Sequence, residues 1–307
     1  MTEVALSVQG LHKDFGEVVA CDDLTLSLPA GQILGLVGPD GAGKTTTFRM
    51  LCGILKPTAG TALVVGRDVV REPEAVRQFI GYLPQQFGLH RDLTVLENLR
   101  YVADLYSLPG GEWEQRRDEL LSITYLAPFG DRLAGRLSGG MRQKLALVAA
   151  LIHRPRMLFL DEPTTGVDPV SRRDFWKILH DLPRQGVTIV ISTPYMDEAL
   201  RCHLLAFMHE GRLLAFDTPE GLRHSLSGVM LDVRCQPQHE ARAILRRLDA
   251  VRSVEVFGDR LHVAVRGEAD VAQVAEALRG AGLQCEAVEP MEPALEDVFM
   301  ALSAPHH

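Results

Sequence analysis

The run Gly38-Pro39-Asp40-Gly41-Ala42-Gly43-Lys44-Thr45-Thr46 constrains this chain more than any other stretch. It meets the phosphate-loop pattern G-x-x-x-x-G-K-[ST] at every fixed position. The apolar residues Ile33-Leu34-Gly35-Leu36-Val37 lead into it and predict a buried strand, and Thr45 to Cys52 lead out as a helix that Gly53 is placed to end. Glycines let the backbone curl around an anion so that successive N–H groups point inward, and the helix N-terminus adds partial positive charge. Lys44 is then within reach of β- and γ-phosphates, and the Thr45 hydroxyl within reach of Mg²⁺. A turn that binds nothing is the poorer reading, because an unpaired lysine and three glycines weaken an ordinary strand-to-helix connection.

A second acidic site follows from position. Met157-Leu158-Phe159-Leu160 reads as an all-apolar strand at the centre of a parallel sheet and ends in Asp161-Glu162-Pro163. Ligands of such sheets bind at the carboxyl ends of the strands, where two acids are costly unless a metal or a donor meets them. Asp161 suits a Mg²⁺ shell and Glu162 suits a base that orients attacking water. Upstream, Ser138 is placed to cap a helix over Met141 to Ile152, and Gly139 and Gly140 behind it make another anion-ready helix start. Phe15, beside the turn Lys13-Asp14-Phe15-Gly16, is either a turn aromatic or a ring for stacking on a base.

The remaining patterning gives the organisation. Several short strands are expected over residues 4–37, then a strand, a short helix at Pro73 to Phe79 and a strand at Ile80 to Leu83 before Pro84-Gln85-Gln86. A helical stretch from Leu93 to Leu126, broken at Pro109-Gly110-Gly111, looks like a separate lobe. A helix near Val170 to Leu182, a strand at Val187 to Ser192, a helix start at Thr193 to Ala199 and two closing strands follow. After about Gly221 the order becomes β-α-β-β-α-β with a last amphipathic helix over Ala294 to Leu302, and no catalytic constellation is visible there. That region reads as a regulatory or dimerising domain, and the Pro305-His306-His307 tail has no assigned role.

Composition bounds the classes. A net charge of −8 disfavours the broad basic surface of nucleic-acid binding. Cys21, Cys52, Cys202, Cys235 and Cys285 form no C-x-x-C pair, which suggests buried free thiols in a reducing cytoplasm. The N-terminus lacks a signal-peptide pattern, and the apolar run Leu145 to Ile152 is far shorter than the ~20 residues of a membrane span, so any membrane role is expected through a partner.

Taken in order, the phosphate loop, Gln85, Leu137-Ser138-Gly139-Gly140-Met141, Leu160-Asp161-Glu162-Pro163 and Asp168 resemble the ABC ATPase family over residues 4–222. The continuation Arg142-Gln143-Lys144 and the late Pro293-Ala294-Leu295-Glu296-Asp297-Val298-Phe299 resemble ATP-binding subunits of ABC-2-type exporters of the daunorubicin-resistance and multidrug-efflux kind. The resemblance implies an α/β fold, a P-loop NTPase cassette with a mainly parallel sheet, an antiparallel β subdomain and a helical lobe at about 87–136. It implies an ABC domain at 1–222 and a small α+β (βαββαβ) domain at 223–307. It implies two cassettes head to tail around two ATP, identical or not, below a membrane permease on the inner face of the cell membrane, with the lobe carrying motion to that permease. Gly38, Pro39, Asp40, Gly41, Ala42, Gly43, Lys44, Thr45 and Thr46 would hold phosphates and Phe15 adenine. Thr45, Gln85 and Asp161 would meet Mg²⁺, and Gln85 and Glu162 the water. Ser138, Gly139 and Gly140 would reach the γ-phosphate on the opposite subunit, and Asp168 would cross the interface.

Two positions depart from the family pattern. Pro194 stands where a switch histidine is expected, and Asp40 replaces a more usual asparagine and is expected to point outward. Proline brings no side-chain donor and no N–H, so this site is expected to hydrolyse slowly and its Ser138 to complete a partner's site. A soluble ABC ATPase acting on ribosomes or DNA, and a non-hydrolysing nucleotide-binding regulator, are the competing readings.

Overall fold

Strands apolar on both faces beside strands apolar on one face set the architecture. The computed structural model describes residues 3–85 and 88–303, and the chain separates into two units, Met1–Phe216 and Asp217–His307. The first unit opens with β1 (Val4–Phe15), β2 (Val18–Pro29), β3 (Ile33–Val37) and α1 (Lys44–Leu51). It continues through β4 (Ala59–Val64), β5 (Arg67–Asp68), α2 (Pro73–Phe79), β6 (Ile80–Leu83), α3 (Val95–Leu105) and α4 (Gly110–Ile123). It closes with α5 (Gly139–Leu151), β7 (Met157–Asp161), α6 (Pro169–Asp181), β8 (Thr188–Thr193), α7 (Met196–Ala199), β9 (Leu204–His209) and β10 (Arg212–Asp217).

Where several short strands were expected, β1 and β2 form one long antiparallel hairpin. Register shifts such as that between Val8 and Leu11 break the apolar alternation and mimic strand ends in the sequence. This hairpin extends into a four-stranded sheet ordered β2-β1-β4-β5. The second sheet is ordered β10-β9-β3-β8-β7-β6, with parallel pairing of β3 to β8 and β9 and of β7 to β8 and β6. Every residue of β3, β7 and β8 is buried, as an all-apolar strand between helices requires. Helix α1 joins the sheets: Phe48 meets Phe159 of β7 edge-on with centroids 5.7 Å apart, inside a core that also takes in Leu11 and Leu24 of the hairpin.

The helical lobe is fastened at its entrance. Thr94 and Glu97 form a reciprocal capping box, with Thr94 N donating to Glu97 Oε2 (2.7 Å) and Glu97 N to Thr94 Oγ1 (3.2 Å). Buried Asn98 donates to the carbonyls of His90, Leu93 and Thr94. Phe87, with which the lobe was expected to begin, lies outside the described residues, as does Gln86 before it. The lobe also meets the core at Tyr106 and His153, whose rings stack 3.8 Å apart. His153 Nε2 donates to Ile80 O at 2.8 Å, and burial lowers the pKa of the ring.

The second unit runs α8 (Pro219–His224), β11 (Val229–Gln236), α9 (Gln238–Leu245), β12 (Val251–Phe257), β13 (Arg260–Val265), α10 (Ala269–Gly280), β14 (Gln284–Met291) and α11 (Leu295–Ser303). Its antiparallel sheet is ordered β12-β13-β11-β14, the arrangement expected of β-α-β-β-α-β. Helices α9 and α10 supply Ala241, Leu245, Val274 and Leu278 to a core with Leu231, Val233, Leu261 and Val263. Asp297 of α11 accepts from His262 Nδ1 of β13 at 2.8 Å. The expectation of five free thiols is corrected here. Cys235 and Cys285 are cross-strand partners on β11 and β14 and are joined as a disulfide, a pairing that fifty residues of separation hide in the sequence. Cys21, Cys52 and Cys202 are free and buried.

Folding favours neutral His153, so its contribution is present above the ordinary histidine range and is lost as pH falls through it. Stability should therefore fall between about pH 7.5 and about pH 5, and less steeply in His153→Phe, which keeps the ring stack. Urea midpoints at both pH values check this; equal pH slopes in the two proteins would refute it.

Candidate functional site

Three strand ends build the site. Beyond β3 the chain turns through the phosphate loop, where a Cβ at Gly38 would strike Met208 O, and Gly43 sits at φ 97° against Ala20 O. Neither position has room for a side chain, and Gly43 adopts a backbone that L-residues with side chains rarely take. Helix α1 then starts at Lys44, whose ammonium is buried. Nζ donates to Gly38 O at 2.8 Å and to Pro39 O at 2.9 Å, and pairs with Glu162 Oε1 at 3.2 Å. A buried charge needs such partners. The other Glu162 oxygen accepts from Gln85 Nε2 at 3.1 Å, so the ends of β3, β6 and β7 meet in one chain of contacts.

Glu162 follows β7 in the left-handed region, at φ 48°, a strained conformation for a residue other than glycine. Ser192, opposite Asp161 on β8, holds this corner. Its hydroxyl donates to Asp161 Oδ1 at 2.7 Å and accepts from Glu162 N at 2.9 Å. Asp161 is fully buried, and among the described residues its Oδ2 has no partner. Burial, then the Asp161 carboxylate, pushes the neighbouring Tyr82 phenol up to about 12. The Thr45 hydroxyl, the Gln85 amide oxygen and the Asp161 carboxylate are hard oxygen donors suited to Mg²⁺, and the orphaned Oδ2 fits a group bound beside it.

Lys44, Thr45, Gln85 and Glu162 face a cavity of about 350 Å³ walled by Val18 to Ala20, by the loop from Asp40 to Thr46, and by Gln85 and Glu162 themselves. Asp40 is exposed at its rim. Phe15 is not part of the wall; it is 53 % exposed, pairs with Val18 in the hairpin, and carries Lys13 Nζ 5.0 Å from its ring. Gly38, Pro39 and Asp161 are not part of the wall. Ser138, Gly139 and Gly140 do not face the cavity: Ser138 Oγ accepts from Met141 N at 3.2 Å and caps α5. Asp168 caps α6, accepting from Val170 N and Ser171 N at 3.1 and 3.0 Å, and the Ser171 N–H, then its hydroxyl, holds the Asp168 carboxyl below the usual range.

Two features had no place in the sequence reading. Ser192, a polar residue at the end of an apolar strand, was read only as the close of that strand. Buried Glu198 accepts from Thr164 Oγ1 (2.9 Å) and Thr193 Oγ1 (2.8 Å), which braces the turn carrying Pro194. The hairpin wall at Val18 to Ala20 leaves no signal of its own, since exposed valines in a strand are ordinary.

A phosphate loop between a parallel strand and a helix, with two acids at the end of β7, one strand removed across β8, defines a P-loop nucleotide-binding protein. The profile described as ABC transporter matches residues 21–165, and that of the ATP-binding protein DrrA1-3-like C-terminal domain matches residues 218–303. The chain belongs to the family of ABC transporter ATP-binding proteins, in the branch that carries a DrrA-like C-terminal domain. It is 35% identical to the daunorubicin resistance ATP-binding protein DrrA2 of Streptomyces coeruleorubidus, over 99% of this chain and 96% of that one. It is 40% identical to the probable multidrug ABC transporter ATP-binding protein YbhF of Escherichia coli K12, over 98% of this chain, and spans about half (52%) of that relative's length. Among solved structures, an ATP-binding subunit of an ABC transporter superposes with TM-score 0.66 at 29% identity, over 72% of this chain and 92% of that one. A dimeric bacterial ABC transporter cassette superposes with TM-score 0.64 at 25% identity, over 69% and 98%.

Ser192→Ala should destabilise the protein by about 1–3 kcal/mol, because it leaves both Asp161 Oδ1 and Glu162 N unpaired in a buried corner. Urea denaturation measures this; an unchanged midpoint would show that the hydroxyl does not organise the acids.

Proposed function

We propose that the chain is the ATP-binding and ATP-hydrolysing subunit of an ABC-2-type exporter, working as a head-to-tail pair of cassettes. One observation carries the reading: Lys44, Gln85 and Glu162 converge on one cavity, while Ser138 and Asp168 begin helices outside it. The site is thus half built, and a second cassette supplies the other half. The dimeric cassette among the solved relatives supports this.

In this reading the loop from Gly38 to Thr46 cradles the phosphates, whose oxygens compete with Glu162 Oε1 for the Lys44 ammonium. Phe15 stacks on adenine. Mg²⁺ held by Thr45, Gln85 and Asp161 would neutralise phosphate charge. Glu162, released from Lys44, polarises the attacking water, and Gln85 orients it. Ser138, Gly139 and Gly140 meet the γ-phosphate of the partner's nucleotide, and Asp168 crosses the interface. Closure depends on the γ-phosphate because it alone is touched from both sides.

Among the described residues no helix is long and apolar enough to cross a membrane, so coupling runs through a permease. The lobe offers exposed Tyr101, Leu105 and Tyr106 for that contact, and the subunit sits on the inner face of the cell membrane. Relatives named for daunorubicin resistance, multidrug transport and Nod factor export support an outward direction. The acidic balance argues against nucleic acid as the partner.

Pro194 favours a further reading of the same site. It follows β8 directly and offers no donor to a γ-phosphate, so this subunit's own site would turn over slowly and pair best with an unequal partner cassette.

Lys44→Ala should weaken ATP binding by roughly 10- to 100-fold, the worth of a charge-assisted contact, and Glu162→Gln should form a dimer with ATP that wild type does not accumulate. A fluorescent-nucleotide titration and light scattering check both; unchanged affinity in the first, or a monomer in the second, defeats the proposal. Pro194→His should raise kcat by roughly tenfold or more; robust wild-type turnover with no gain would favour a homodimer in which Gln85 and Glu162 suffice.

A further inference from the structure

Gly139 and Gly140 stand side by side at the start of α5, but only Gly140 is buried. A Cβ at Gly139 would meet nothing within 4 Å, whereas one at Gly140 would lie 2.5 Å from Ser171 Cβ and would also strike Ser171 Oγ. Rotating the serine moves Oγ but leaves Cβ in place on the α6 backbone. Non-bonded carbons sit about 3.5–4.0 Å apart, so any side chain at 140 would drive α5 and α6 apart by about 1 Å.

This contact lies within one turn of both helix caps. Ser138 caps α5 two residues before Gly140, and Asp168 caps α6 three residues before Ser171, whose N–H it binds. One turn further along the same two helices, Lys144 Nζ approaches Asp174 Oδ2 at 3.8 Å. Neither Gly140 nor Ser171 lines the cavity around Lys44, so the contact can change without touching the chain's own phosphate loop.

We infer that Gly140 and Ser171 form a close-packed seam that locks α5 to α6, so that Ser138 and Asp168 are presented to the partner cassette as one rigid edge. The inference rests on the head-to-tail reading and gives Ser171 a positioning role that no phosphate contact requires. A displacement of about 1 Å at such an edge is the scale at which misplacement costs ~10²-fold in rate.

The test uses the full chain in a Glu162→Gln background, with three readouts: nucleotide affinity of the monomer, the ATP-dependent dimer by light scattering, and the thermal midpoint. Ser171→Val should keep monomer affinity and lose the dimer, and Gly140→Ala should lose the dimer as well. Adding Ser171→Gly to Gly140→Ala should restore the dimer, along with any lost midpoint, because the cavity left at 171 takes the new methyl group. A direct clash of the alanine with phosphate would not be rescued this way. Gly140→Ala or Ser171→Val that dimerises like the parent overturns the seam, and so does a double variant that melts normally but stays monomeric. A parent that never dimerises with ATP overturns the head-to-tail reading and the role of the seam with it, which separates the two failures.

Discussion

A single buried ammonium ties the first unit together. Lys44 sits among two loop carbonyls and one carboxylate; the carbonyls follow β3 and the carboxylate follows β7, strands that the sheet places on either side of β8. The carbonyls require the tight path through Gly38 and Gly43. The carboxylate requires β7 to end where it does and Glu162 to accept a left-handed backbone. Burial makes these conditions strict, since a lysine out of water without all its partners would cost several kcal/mol.

The same economy explains Ser192. One hydroxyl acts as donor to Asp161 and acceptor for Glu162 N, so two adjacent acids are held by one small side chain. Among the described residues no group meets the second Asp161 oxygen, while Glu162 is occupied on both oxygens by Lys44 and Gln85. Two adjacent carboxylates therefore have different surroundings, one buried with an unmet oxygen and the other engaged on both.

Much of this was legible in the residues. The β3–loop–α1 unit, the acid-tipped β7, the Ser138 cap and the β-α-β-β-α-β order of the second unit all follow from local patterning that burial later reinforces. What was not legible depends on register between distant strands. Ser192 aims the acids only because β8 lies beside β7 with residue 192 opposite 161, and Cys235 meets Cys285 only because β14 folds back on β11. The long β1–β2 hairpin was hidden by its own bulges, which interrupt the alternation that would have marked it. Phe15 stands on that hairpin, outside the cavity wall, where a motif alone could not say how far its ring would be from the loop.

The second unit closes its apolar interior with its own helices and strands, from Leu231 and Val233 to Val274 and Leu278. Such a module meets its folding requirements locally. Substitutions on its outer faces that leave this interior filled therefore leave the module its own means of folding.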